Sequence, residues 1–114
     1  MLKIEAIVRP EKLEDVKKAL NEIEVNGITV SQVMGVGKQK GYTELVRGNI
    51  VDVDLLPKIK FEIAVSTQEW ADKTIEAIKK AAWTGNVGDG KIFVYDLNSV
   101  IRVRTGDEGA VALN

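Results

Sequence analysis

The stretch Thr84-Gly85-Asn86-Val87-Gly88-Asp89-Gly90-Lys91 places three glycines within six residues and ends on a lysine. Glycine allows positive φ and lets backbone N–H groups come close to a ligand. Successive N–H groups in such a turn form a nest for an anion, and a lysine beside it adds a mobile positive charge. The chemistry on offer is phosphate binding. Gly85, four residues, then Gly90-Lys91 matches most of a Walker A loop, but Ile92 stands where that loop needs a hydroxyl for its metal. A Walker A loop also follows a strand and opens a helix. This one follows a helical pattern and runs into Ile92-Phe93-Val94-Tyr95, which reads as a strand. On the loop alone two readings stand: an anion cradle, or a helix-to-strand connection in which Gly-Asp-Gly makes a tight turn.

Other chemistry is narrowed by what the chain lacks. There is no Cys and no His, so disulfides, thiolate chemistry, the usual zinc sites and every His-dependent triad are excluded. The commonest general acid/base is missing too, which tilts the reading from an enzyme toward a binding module. A net charge of −1 makes no electrostatic case for nucleic acid. No apolar run approaches membrane-spanning length. Met1-Leu2-Lys3-Ile4-Glu5 lacks the layout of a secretion signal, so the expected location is the cytoplasm. At 114 residues the chain is expected to form one domain, residues 1–114.

The elements that must position the loop follow from periodicity. Leu2, Ile4, Ala6 and Val8 alternate with Lys3, Glu5, Ile7 and Arg9, which predicts a half-buried strand. Pro10 suits a first helical turn, and Leu13, Val16, Leu20 and Ile23 give that helix one apolar face. Gly27 lies beyond its end. Ile28 to Met34 reads as a second strand. From Gly35 to Pro57 glycines interrupt and no period is sustained, although Ile50 to Asp54 alternates enough for a hairpin arm. A loop of that length in a small domain is functional or disordered. Gly35-Val36-Gly37 is similar to a dinucleotide fingerprint, but Gly41 comes one residue late, and a strand-ending turn explains it equally well.

Ile59, Phe61, Ile63 and Val65 mark the cleanest strand. Ser66-Thr67-Gln68-Glu69 fits a capping box, opening a helix buried through Ala71, Thr74, Ile75, Ile78, Ala81 and Ala82. After the glycine-rich loop come the strand at Ile92 to Tyr95 and a last short strand. There Ile101 and Val103 share one face, which would put Arg102 and Arg104 together on the other. The order β-α-β, long loop, β-α-β predicts an α+β, ferredoxin-like βαββαβ sandwich. Both helices would cover one face of a four-stranded antiparallel sheet, leaving the other to water or a second subunit.

Five blocks in this order carry a resemblance. They are Gln39-Lys40-Gly41 with Thr43-Glu44-Leu45; Arg47-Gly48; Leu56-Pro57-Lys58; Thr84-Gly85 with Gly88-Asp89-Gly90-Lys91-Ile92-Phe93-Val94; and Arg102-Val103-Arg104-Thr105-Gly106. Together, and essentially end to end, the chain resembles the PII signal-transduction proteins of nitrogen metabolism. The resemblance implies a homotrimer with nucleotide sites in clefts between neighbours, a partner-binding T-loop over 37–55, a phosphate loop over 83–91 and a C-terminal strand and loop over 102–114. It implies that Gly35, Gly37, Lys38 and Gln39 line one wall for ATP or ADP. Gly88, Asp89, Gly90 and Lys91 would wrap the phosphates, Arg102 and Arg104 would complete the clamp, and Thr29 and Glu62 would lie near adenine and ribose.

In the same family 2-oxoglutarate binds beside ATP and Mg²⁺. By resemblance Gln39 would coordinate the metal, Lys58 would pair with a carboxylate and the Gly41 backbone would assist. Arg47 would sit at the T-loop tip and enter the mouth of an ammonium transporter; a nitrogen-assimilation enzyme or regulator is the other partner class. Some positions depart from the pattern: Val51 and Val46 replace tyrosines, Asn49 a serine, Val36 a phenylalanine and Tyr42 a histidine. Valine at 51 has no hydroxyl to accept a nucleotidyl group. Two rival readings use the same residues: a PII-like adenine-nucleotide sensor for a different transporter or enzyme, and a small nucleotide hydrolase, for which no base or nucleophile is evident.

Overall fold

The computed structural model describes residues 1–36, 42–46, 49–53 and 55–113, the two segments 42–46 and 49–53 by their backbone. Strand β1 (Leu2–Val8) alternates buried and half-buried residues along its whole length. Its inward side chains are Leu2, Ile4, Ala6 and Val8. Strand β5 (Leu56–Val65) does the same with Ile59, Phe61, Ile63 and Val65. The two pair antiparallel from Leu2 opposite Val65 to Val8 opposite Ile59, so both apolar rows face one way. Strand β2 (Ile28–Gly35) flanks β5, and β6 (Lys91–Asp96) flanks β1, giving the order β2-β5-β1-β6. This is the expected ferredoxin-like sandwich. Between β2 and β5, strands β3 (Tyr42–Val46) and β4 (Asn49–Val53) form a separate antiparallel hairpin.

Helix α1 (Leu13–Glu22) follows a 3-10 turn at Pro10–Lys12 and buries Val16 and Leu20. It ends where Glu24 takes φ of 64°, with Glu24 N–H bonded to Asn21 O and Val25 N–H to Leu20 O. That is a Schellman stop. A glutamate rather than Gly27 fills its left-handed position, because the apolar Val25 that follows is pulled into the core. Helix α2 (Gln68–Ala82) buries Ala71, Thr74, Ile78 and Ala82. Its cap lies one residue later than the expected box. Thr67 Oγ1 accepts from Trp70 N–H at 3.2 Å, and Ser66 precedes the cap. The buried Thr74 hydroxyl donates back to Trp70 O at 2.8 Å, so it carries no unpaired group into the core.

Phe61, Ile4, Leu20, Ile63, Ile78 and Val16 are fully buried between the sheet and the helices. Each such side chain contributes about 1.5–3 kcal/mol by leaving water. The opposite face of the sheet is polar: Lys3 lies 3.8 Å from Glu62 and 3.9 Å from Glu5, and Lys60 lies 3.3 Å from Glu62.

The last expected strand does not form. Ile101 makes a single bridge to Glu108, and the chain turns back between them. Gly106 N–H bonds Arg102 O, and Arg102 N–H bonds Asp107 O, both at 2.8 Å. Gly106 and Gly109 take φ of 74° and 81°, which folds the segment into a turn and a 3-10 helix at Gly109–Leu113. Alternation over Ile101 to Arg104 was therefore a turn pattern, and Arg102 and Arg104 do not share a strand face.

Candidate functional site

The glycine-rich loop connects α2 to β6 and is built around one carboxylate. Asp89 Oδ2 accepts from the N–H groups of Thr84 at 2.8 Å and Gly85 at 2.9 Å. Asp89 Oδ1 accepts from the Thr84 hydroxyl and from Arg9 Nε, the latter at 3.0 Å. The Thr84 hydroxyl first, its amide next, and then Arg9 and the Gly85 amide hold the Asp89 carboxyl well below the usual carboxylate range. Asn86 N–H turns to Thr84 Oγ1 at 3.2 Å. The donors of Thr84, Gly85 and Asn86 are thus spent inside the loop.

The glycines answer specific needs. Gly90 has φ of 105°, and a Cβ there would lie 1.7 Å from Ile7 O on β1. No side chain fits between the loop and the strand. Gly85, at φ of 87°, lies against the ring of Trp83, which a Cβ would meet at 3.0 Å. Gly88 also takes positive φ, at 104°. Beyond Gly90, Lys91 opens β6 opposite Ile7. An open apolar pocket of about 360 Å³ lies beside the loop, lined by Val8, Ile75, Ile78, Ala82, Trp83 and Lys91 among others.

Cations approach the loop from the sheet. Lys58 Nζ donates to Gly88 O at 2.9 Å, and Arg9 Nη2 donates to Val87 O at 2.8 Å. Burial first, and the nearby Arg9 charge next, push the Lys58 amine down from its usual range, while Glu11 and Asp89 oppose that shift. Gly35 closes β2 beside Lys58, whose Cγ would meet a Cβ at 3.4 Å. The structure therefore gathers Gly35, Lys58, Gly88, Asp89, Gly90 and Lys91 at one end of the sheet. Arg9 is the residue sequence reasoning missed there. It read as the outward member of an alternating strand, and nothing in its spacing linked it to a loop far along the chain.

Two groups of expected site residues lie apart from this end. Thr29 pairs with Glu62 across β2 and β5, and Glu62 is opposite Glu5, which is opposite Phe93. Lys91 lies two rows further along, opposite Ile7, on the edge strand at the other side of the sheet. Thr29 and Lys91 are three strand spacings apart, roughly 14 Å. Arg102 is engaged by its own C-terminal segment, with Nη1 at 2.9 Å from Asp107 Oδ2 and Nη2 bonded to Val111 O at 2.7 Å. Arg104 is exposed in the turn before Gly106. Gly37, Lys38, Gln39, Gly41 and Arg47 lie outside the described residues.

The loop suits a polyphosphate in its positive-φ glycines and in the cations Lys58 and Lys91 beside it. Among the described residues no three acidic side chains converge to hold a metal ion.

The family model for "Nitrogen regulatory protein P-II" matches residues 1–107. A nitrogen regulatory protein P-II of Pasteurella multocida is 55% identical over 113 residues, covering 99% of this chain and all of the relative. Those of Rhodospirillum rubrum and Azospirillum brasilense are 52% and 51% identical over the same span. The βαββαβ order, the glycine-rich loop and the interposed hairpin all fall within that matched length. The chain belongs to the nitrogen regulatory protein P-II family, whose members are signal transducers and not enzymes.

Proposed function

We propose that this chain works as a homotrimeric sensor of energy and nitrogen status. ATP or ADP occupies clefts between neighbouring subunits, and 2-oxoglutarate with Mg²⁺ joins ATP there. The observation that carries this reading is the division of the expected site across one sheet. Lys91 follows the loop on the β6 edge, whereas Thr29 lies on the opposite β2 edge, beside Glu62 of the inner strand β5. In a shared site a second subunit would bring its β2 edge to the first subunit's loop, so that one nucleotide meets both sets. The unpaired edges fit such contact, since Val30, Met34, Phe93, Val94 and Tyr95 are all exposed on them.

In this reading Gly88, Gly90 and Lys91 receive the phosphates, and Gly35, Gly37, Lys38 and Gln39 line one wall. Thr29 and Glu62 of a neighbour meet the nucleoside, and Arg102 and Arg104 complete the clamp. Asp89 acts through loop shape, because a carboxylate facing phosphate would repel it. Gln39 supplies a ligand to Mg²⁺, and Lys58 with the Gly41 backbone receives 2-oxoglutarate. The bound ligands bias the T-loop between arrangements that bind and release a target. The target proposed is an ammonium transporter, met through Arg47. The protein then acts in the cytoplasm.

Calorimetric titration tests the site. ATP is expected to bind alone, and 2-oxoglutarate only when ATP and Mg²⁺ are present. Lys91→Ala should weaken ATP by about 1.5–3 kcal/mol, the scale of a charge-assisted hydrogen bond. Lys58→Ala should abolish 2-oxoglutarate binding and spare ATP. Tight 2-oxoglutarate binding without nucleotide would sink the shared geometry.

A further inference from the structure

We infer that Arg9 is the positioning residue of the phosphate loop, holding residues 84–90 in their open shape from the end of β1 without itself meeting the ligand. This rests on reading that loop as the nucleotide site. Arg9 follows the last residue of β1 and keeps extended backbone, φ −63° and ψ 144°. Its side chain is only 14% exposed, so it is packed into the molecule and not displayed on it. The guanidinium reaches across 80 residues of sequence to bond Asp89 through Nε, and bonds Val87 O through Nη2. Its remaining arm, Nη1, lies 4.0 Å from Glu11.

Asp89 passes that hold on. The same carboxylate receives the N–H groups of Thr84 and Gly85 and the Thr84 hydroxyl. Arg9 thereby ties the middle of the loop directly and its first residues through Asp89. Lys58 adds a second tether at Gly88 O. The need for such bracing is physical. Gly85, Gly88 and Gly90 all sit at positive φ, and glycine loses more freedom on ordering than any other residue. A loop ordered before binding does not charge that cost against the ligand. Arginine suits the task because its planar fork makes two bonds in fixed geometry, where a lysine amine would have to choose between the carboxylate and the carbonyl.

The test uses the full chain with Arg9→Met and, as the milder variant, Arg9→Lys. In the absence of ligand, amide hydrogen exchange at Thr84 and Gly85 should quicken about tenfold or more in Arg9→Met and by less in Arg9→Lys, as expected for opening a local unit. Exchange at Ile4 and Phe61, deep in the sheet, should stay at the wild-type rate. ATP affinity should fall about tenfold in Arg9→Met. In an Asp89→Asn background the same change should cost clearly less than tenfold, the remainder being the bond to Val87 O, since a double-mutant cycle isolates what passes through the pair. If the full loss persists in that background, nothing passes through the Arg9–Asp89 pair and the bracing of Thr84 and Gly85 by Arg9 is wrong. Wild-type exchange at Thr84 and Gly85 in Arg9→Met, with ATP still bound by the wild type, would overturn this inference alone. Failure of the wild type to bind ATP would overturn the nucleotide reading itself, and the exchange rates would still decide whether Arg9 braces the loop.

Discussion

Gly90 shows how a single position fixes the loop to the sheet. Its Cα passes so near Ile7 O that even a methyl group has no room, and its φ of 105° disfavours any L side chain besides. Gly90→Ala should therefore destabilise the protein by about 2–4 kcal/mol in urea unfolding at fixed protein concentration, combining backbone strain with displacement of the β1–β6 joint. Gly27, with open space around it, is the control, and Gly27→Ala should stay within about 0.5 kcal/mol of wild type. Asp89 supplies a second residue-scale expectation. Its folded carboxyl ionises more readily than an unfolded one, so its contribution is fully present above the ordinary aspartate value of about 3.9 and is lost as pH falls below it. Asp89→Asn should flatten the acid limb of the stability profile below about pH 4 and leave the slope from pH 6 to 8 unchanged. An acid limb as steep as in the wild type would mean that other carboxylates set it.

At the scale of elements, the hairpin between β2 and β5 matters most. Val46 pairs with Asn49, so Arg47 and Gly48 are the two residues that join β3 to β4. Arg47 itself lies outside the described residues, and its docking role rests on the family resemblance. Arg47→Ala should relieve inhibition of ammonium transport while leaving ATP and ADP affinity unchanged. Pull-down with the transporter should succeed with ADP and fail with ATP plus 2-oxoglutarate. Equal inhibition by wild type and variant would remove Arg47 from the partner interface. Val51, on β4, offers no hydroxyl for nucleotidyl transfer, so switching at that position rests on ligands.

For the whole molecule, the sheet is covered on one face only. The other carries an ion-pair network of Lys3, Glu5, Lys60 and Glu62, and Lys3 Nζ also lies 5.7 Å from the Tyr95 ring centre. Val103, almost fully exposed, and Ile101 add apolar surface on the C-terminal segment. Light scattering should give three times the 12.5 kDa subunit mass. A monodisperse monomer at micromolar concentration would sink both the assembly and the shared nucleotide site.

What the sequence determined by itself was the layout of strands and helices. Leu2 to Val8, Ile59 to Val65 and the two amphipathic helices were legible because burial on one face writes a period of two or of 3.6 into the chain. The family was legible too, since five blocks in order carried the resemblance and the family model matches residues 1–107. Local terminators were read less well. The cap fell on Thr67 instead of Ser66, Glu24 took the left-handed stop, and Ile101 to Arg104 alternated without becoming a strand. Each of these turns on one hydrogen bond or one neighbouring apolar contact, which periodicity does not record. Only the tertiary structure decided what holds the loop. Arg9 and Asp89 are 80 residues apart, and their pairing depends on β1 ending beside the turn from α2 to β6. Only the strand order set Thr29 on the edge opposite Lys91, with Glu62 on the inner strand between, because separation across strands is a property of pairing order and not of sequence distance.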